Sequence, residues 1–307
     1  MVFRWLAVQC AVLFCLGIPT SAFAQDVLSK HPLQNQILDH KGQVVSQDAL
    51  PAKIGSHAYV FVGEKHDNPK HHEIELAIIR MRLSANSSSN PGRIVFEMLD
   101  DSQDALIAKL QPEQSLVEMR QTLEWPSKGW DWNSYGPQFH AAAQARALYS
   151  GNISRSMISA IYKGGTKVLS ETPKLSSATK QSMAVHNYLL DQIFASHCGM
   201  QSRENLQPML HIQLAKDASM ASAMMGAPRA LLVAGGEHVR AATGAPMHLK
   251  TILPQADTLV IQLVEVKPGK ATLSDYLPTV GAADLYWFTE ATPEQDYCAG
   301  VKGRAAQ

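Results

Sequence analysis

The feature that most narrows the fold is an alternation. Short apolar, often β-branched runs at Ala58–Val62, Ile94–Met98, Ala230–Ala234 and Leu259–Val264 are separated by long stretches of helical periodicity. Strands that alternate with helices build parallel sheets with helices on their faces, so the chain reads as α/β with a mainly parallel sheet flanked by helices. Leu285–Phe288 is expected to add an edge strand. Asn68 and Pro69 read as the N-cap and first residue of a helix with Ile74, Ala77, Ile78 and Met81 on its apolar face. Residues near 102–123, 137–149, 176–197 and 203–225 also read as helical. Together they make the region from about 100 to 225 a helix-rich insertion or cap on one domain covering 25–307.

The first 24 residues read as a leader rather than as fold. Arg4 supplies a positive start, Trp5–Ile18 is a short apolar run, and Ala22-Phe23-Ala24 is a cleavage signature before Gln25. The run is too short to cross a hydrocarbon core of roughly 30 Å. Phe14 stands before Cys15 where a lipoprotein signal needs a small residue, so a lipid anchor is not expected. The mature protein is expected to be periplasmic or secreted. Cleavage would leave Cys198 and Cys298, which in an oxidising compartment have one intramolecular pairing and would staple the C-terminal tail. Lys+Arg and Asp+Glu balance at 27 each, which argues against a nucleic-acid partner held by phosphate attraction.

In parallel α/β sheets ligands collect at the carboxyl ends of the strands, so the residues that follow each strand matter most. The first strand runs into Gly63-Glu64-Lys65-His66-Asp67, and the second carries Glu97 and ends near Asp100-Asp101. The third runs into Gly235-Gly236-Glu237-His238-Val239-Arg240. Two strands thus end in G-x-x-H beside a glutamate. Glycine permits a sharp turn, histidine can ligate a metal or clamp a ligand, and a nearby carboxylate raises its basicity. His71, His72 and Glu75 lie off the apolar face of their helix and are expected on a solvated surface. The methionines at 209, 220, 224 and 225 have helical spacing and read as core.

At these motifs the chain resembles the ChaN-type haem-binding uptake family, in the superfamily that also holds the Tiki proteases and erythromycin esterase-like enzymes. The resemblance rests on GEKHDNPKHHEIE at 63–75, IVFEMLD at 94–100, WDWNSYGP at 130–137, QLAKDASMA at 213–221 and LLVAGGEHVR at 231–240. It implies a haem-binding protein of iron acquisition, with a haem receptor of the outer membrane or a haem transporter as partner, and a homodimer as one form. Many relatives are lipoproteins; without the lipid signal that property does not carry over.

A haem site needs an axial ligand, an apolar slot and cations for the propionates. The segment Trp125–Phe139 is the richest candidate, with Trp125, Trp130, Trp132 and Tyr135 close together. Tyr135 is the first choice for the iron, with His66 and His238 as alternatives and Trp132 as lining; Glu64 would support the ligand. Lys65, Arg240 and Lys128 could meet propionates. The alternative is a metal-dependent hydrolase in which Glu64, His66, Glu97 and His238 hold a divalent metal or act as acid and base, as the hydrolytic members of the superfamily imply. G-x-S-x-G, H-E-x-x-H and Walker motifs are absent, so serine-hydrolase, zincin and nucleotide readings fail.

Overall fold

Tyr59 and Phe61 pack into one apolar layer while Val60 and Val62 pack into another, the two-residue period of a strand buried on both faces. The computed structural model describes residues 31–85, 90–276, 282–294, 296, 298 and 299. The leader expected over residues 1–24 lies outside the described residues.

The strands are β1 (Ile37–Asp39), β2 (Tyr59–Glu64), β3 (Arg93–Asp100), β4 (Leu148–Asn152), β5 (Ala230–Gly235), β6 (Thr258–Glu265) and β7 (Leu285–Thr289). They form one sheet in the order β1-β7-β6-β2-β5-β3-β4, parallel throughout except for β1 against β7. The expected α/β architecture is therefore present. Two details differ from the sequence reading. β7 is not an edge, because β1 pairs with its outer side. β4 continues the sheet beyond β3 and divides the helix-rich stretch of 100–225 in two.

The helices are α1 (Leu50–Ser56), α2 (Pro69–Ala85), α3 (Asp104–Ile107), α4 (Leu116–Thr122) and α5 (Trp132–Gln144), followed by α6 (Arg155–Gly164), α7 (Thr166–Glu171), α8 (Met183–Ser196), α9 (Gln207–Met224) and α10 (Ala245–Ile252). Side chains of α1, α2, α4 and α5 join Val60, Val62, Phe96 and Val233 in one core layer. Met220 and Met224 of α9 and Leu249 of α10 join Phe61, Val95 and Leu232 in the layer on the opposite face. A third cluster is built mainly from α6 to α9, with Ile153, Leu175, Ala178 and Leu206 joining from the segments between elements.

Local chemistry explains the helix starts that matter for the site. Asn68 Oδ1 accepts the backbone N–H of Lys70 at 2.9 Å and caps α2, as its sequence suggests. Asp131 caps α5 by accepting the N–H of Ser134, so that helix starts ahead of the expected 137 and presents Tyr135 from its first turns. The helical cap is tied to the tail by a disulfide between Cys198 and Cys298, with Cα atoms 5.7 Å apart. Among the described residues, no helix is long and apolar enough to cross a membrane.

Candidate functional site

β2, β5 and β3 are neighbours in the sheet and run the same way, so their carboxyl ends open on one edge. Glu64 closes β2 opposite Gly235, the last residue of β5. Glu97 lies in β3, and its Oε2 accepts the N–H of Gly235 at 2.9 Å. Gly63 makes no turn, and Gly235 closes β5 while its carbonyl accepts the N–H of His238 in the turn that follows. Both lie in strands, where they leave room for neighbours. A Cβ on Gly63 would collide with Val239 and Gln262, and one on Gly235 would sit 2.8 Å from His66 Nε2.

The expected residues converge. Glu97 stands between the two motif histidines, with Oε1 3.2 Å from His238 Nε2 and Oε2 4.0 Å from His66 Nε2. His66 Nδ1 lies 2.8 Å from Glu64 Oε1, which also accepts the Tyr135 hydroxyl at 2.8 Å. On the far side of His238, Nδ1 meets Asp217 Oδ1 at 2.6 Å. On the far side of Glu64, Oε2 meets His72 Nδ1 at 3.2 Å, and His72 meets Glu75. The result is one polar chain in which three histidines alternate with four carboxylates across the strand ends.

This placement corrects the expectation for His71, His72 and Glu75. All three are buried. The inner face of α2 carries polar groups over its first turns because they meet the polar strand ends rather than an apolar layer. His71 is a structural residue: Nδ1 accepts the Lys65 N–H, Nε2 faces Thr289, and burial pushes its ring down to about 4. Burial and the Glu64 charge push Glu75 up to about 8.

Electrostatics separate the two motif histidines. Burial opposes a charge on His238, but Glu97 and Asp217 outweigh it and push the ring up to about 10. Burial would also raise Glu97, yet the His238 charge holds that carboxyl well below the usual range. His66 is raised too: burial works against the charge, and the hydrogen bond to Glu64 prevails. Tyr135 is pushed far above the ordinary phenol value, first by burial and then by the neighbouring Glu64 charge.

The remaining candidates divide. Trp132 lies in the core, packed on Trp125 and Phe139, and Trp130 is the tryptophan that touches the site, edge-on to His66 with ring centres 4.6 Å apart. Lys65 and Arg240 border a neighbouring groove of about 820 Å³. Lys65 is paired with Asp67 and Glu265, and Arg240 lies 3.8 Å from Glu237. Lys128 is exposed. Asp217, His72, Glu75 and Gln138 were not singled out for the site. Asp217 had a usable signal, being the single acid of α9, set between Lys216 and Ala218.

The model of the family described as haem-binding uptake, Tiki superfamily, ChaN, matches residues 50–249. The chain belongs to this family. Among solved structures, ChaN of Campylobacter jejuni, described for cofacial haem binding, superposes with a TM-score of 0.67 at 22% identity. That match covers 82% of this chain and 95% of the other, and it supports the ChaN fold. The type III effector HopBA1 (14% identity, TM-score 0.42, covering 80% of this chain and 93% of its own) is too distant to argue from. No curated protein matches the sequence.

Proposed function

We propose that this ChaN-family protein binds haem with His66 as the iron ligand and serves haem uptake outside the cytoplasm. One observation carries the assignment. Of the three side chains that could ligate the iron, only His66 reaches the surface: its side chain is 38% exposed, whereas that of His238 is 11% exposed and Tyr135 is buried. A porphyrin is too large to reach a buried atom. Glu64 completes the fit, because a carboxylate that takes the Nδ1–H of a ligating histidine fixes its tautomer and frees Nε2 for a metal. Trp130 adds an aromatic surface beside the ring, and Lys65 and Arg240 offer cations nearby for the propionates.

Tyr135, the first choice from the sequence, fits poorly. Its oxygen is buried, donates to Glu64, and resists ionisation. His238 fits poorly as well, because both ring nitrogens already face carboxylates. That commitment also weighs against the hydrolase alternative, since each ring nitrogen of His238 is already met by a carboxylate, with no open side for a metal and its water. The leader-like residues 1–24 and the Cys198–Cys298 bridge support an exported protein that passes haem to a receptor or transporter. The cofacial haem binding described for the relative leads us to expect that haem pairs two chains here.

Hemin titration of the mature protein tests the reading. The wild type should give a saturating Soret shift, Tyr135→Phe the same spectrum, and His66→Ala no defined endpoint. Light scattering with and without hemin reads the pairing. A wild-type titration by His66→Ala would overturn the ligand, and no Soret shift in the wild type would overturn the function.

A further inference from the structure

The haem reading leaves one end of the polar chain unexplained. His72 Nε2 lies 3.0 Å from the carbonyl oxygen of His66. A carbonyl only accepts, so this nitrogen carries the hydrogen and donates. His72 Nδ1 then faces two carboxylate oxygens, Glu64 Oε2 and Glu75 Oε2, each at 3.2 Å. A hydrogen on Nδ1 serves Glu75, since hydrogen-bond geometry holds for that oxygen. Glu64 Oε2 is left with no hydrogen-bond partner although it is buried, and Glu75 Oε1 is in the same condition. Buried carboxylate oxygens without hydrogen bonds are costly, and the single His72 ring beside them offsets only part of the charge of two carboxylates.

We propose that Glu64, His72 and Glu75 form a buried site for one divalent first-row cation, with zinc the best match to the donor set. One imidazole nitrogen and two carboxylates suit zinc, which binds such atoms at about 2.0–2.2 Å and prefers a tetrahedron. Neighbouring ligands of such a tetrahedron stand about 3.3–3.5 Å apart. The two His72 spacings are 3.2 Å, and one ligand atom from each residue falls within 4.8 Å of the others. The cation would take the place of the Nδ1 proton and of the proton that burial favours on Glu75, and both leave to solvent.

The surroundings already hold the three ligands as a metal site requires. The His66 carbonyl fixes the His72 tautomer. Tyr135 and His66 hold Glu64 by its other oxygen, and Gln138 Nε2 donates to Glu75 at 2.8 Å. Such outer contacts orient ligands before the ion arrives. Glu64 also joins this site to His66. A cation on Oε2 would draw charge away from Oε1 and loosen its hold on the His66 N–H. That last consequence rests on the haem reading; the cation site itself does not.

The test uses mature protein stripped with a chelator, exposed to zinc chloride, passed through a desalting column and analysed for metal. The wild type should keep zinc chain for chain, and His66→Ala should keep most of it, because Tyr135 still holds Glu64 by Oε1. Glu75→Gln and His72→Gln should lose it while their far-UV spectra and Cys198–Cys298 bridge stay intact. Zinc should raise the thermal midpoint of the wild type and not that of Glu75→Gln. No retained zinc in the wild type would overturn the proposal. So would loss of zinc in His66→Ala with retention in folded Glu75→Gln, which would move the ion to the other histidines. Hemin titration of the same samples separates the two readings: haem without zinc overturns the cation site alone, and zinc without haem upholds it while overturning the haem reading.

Discussion

His66 and His238 each stand three residues past a glycine of neighbouring parallel strands, yet the side chain of one is 38% exposed and that of the other 11%. The difference comes from what covers them. α9 lays Asp217 and Gln213 against His238, within 2.6 and 3.1 Å of its Nδ1. Among the described residues nothing comparable covers His66, whose ring stands edge-on to Trp130. One histidine is therefore fixed by charge on both nitrogens, while the other is held closely by one nitrogen, keeps Nε2 4.0 Å from Glu97 and beside Gly235, and leaves part of its ring open to solvent. A shared motif supplies position; the element packed over it decides the role.

Removing each ring should expose the contrast most clearly. His238→Ala strips a buried cation from Glu97 and Asp217 and should cost about 3–5 kcal/mol in urea unfolding. His66→Ala should cost only about 1 kcal/mol, because its ring is partly in solvent and Tyr135 and His72 still face Glu64 when it is gone. Equal losses would erase the distinction. The pH dependence sharpens it. The His238 ring rises from 6.5 unfolded to about 10 folded, so the stability it contributes is full below about pH 6.5 and is lost as the pH climbs through about 10. Subtracting the His238→Gln profile from the wild type should reveal a decline over that window, and parallel profiles would refute the charged ring.

The paired glycines should give a smaller effect of the same kind. Gly63→Ala drives a methyl into Val239 and Gln262 and should cost about 1–3 kcal/mol. Gly235→Ala strikes the tip of His66, which can swing outward, so stability should fall less while hemin affinity drops. The opposite ranking in paired denaturation and hemin titrations would show that His66 is not free to move. The smallest effect belongs to Tyr135→Phe. Glu64 keeps the His66 donor, so the loss should be about 1 kcal/mol, with the hemin spectrum unchanged.

Much of this was legible in the sequence where burial and pattern agree. β2, β3, β5 and β6 are apolar runs buried on both faces, and the residues just beyond them form the site. β4 was missed because LYSGN carries little apolar signal at the far edge of the sheet, and β1 because three residues make no pattern. The polar inner end of α2 escaped for a different reason. Apolar periodicity finds the face turned to a core, and His72 and Glu75 face the strand ends, where the partners are charges. Tyr135 was legible as a site residue by its company, but its depth depends on where α5 starts, and Asp131 sets that.

The strand order also bears on how the protein acquires its site. β5 lies between β2 and β3, although both precede it by a long stretch of chain. Distant parallel pairings form slowly, because the intervening chain must be gathered before any ladder bond rewards it. Until β5 inserts, Glu97 lacks the Gly235 N–H and the His238 ring, and the edges of β2 and β3 stay unpaired. Refolding should be limited by this insertion, with hemin competence arriving in the slow phase and not before it. A chain that ends ahead of Ala230 would carry Glu64, His66 and Trp130 intact and still have no frame on which to present them.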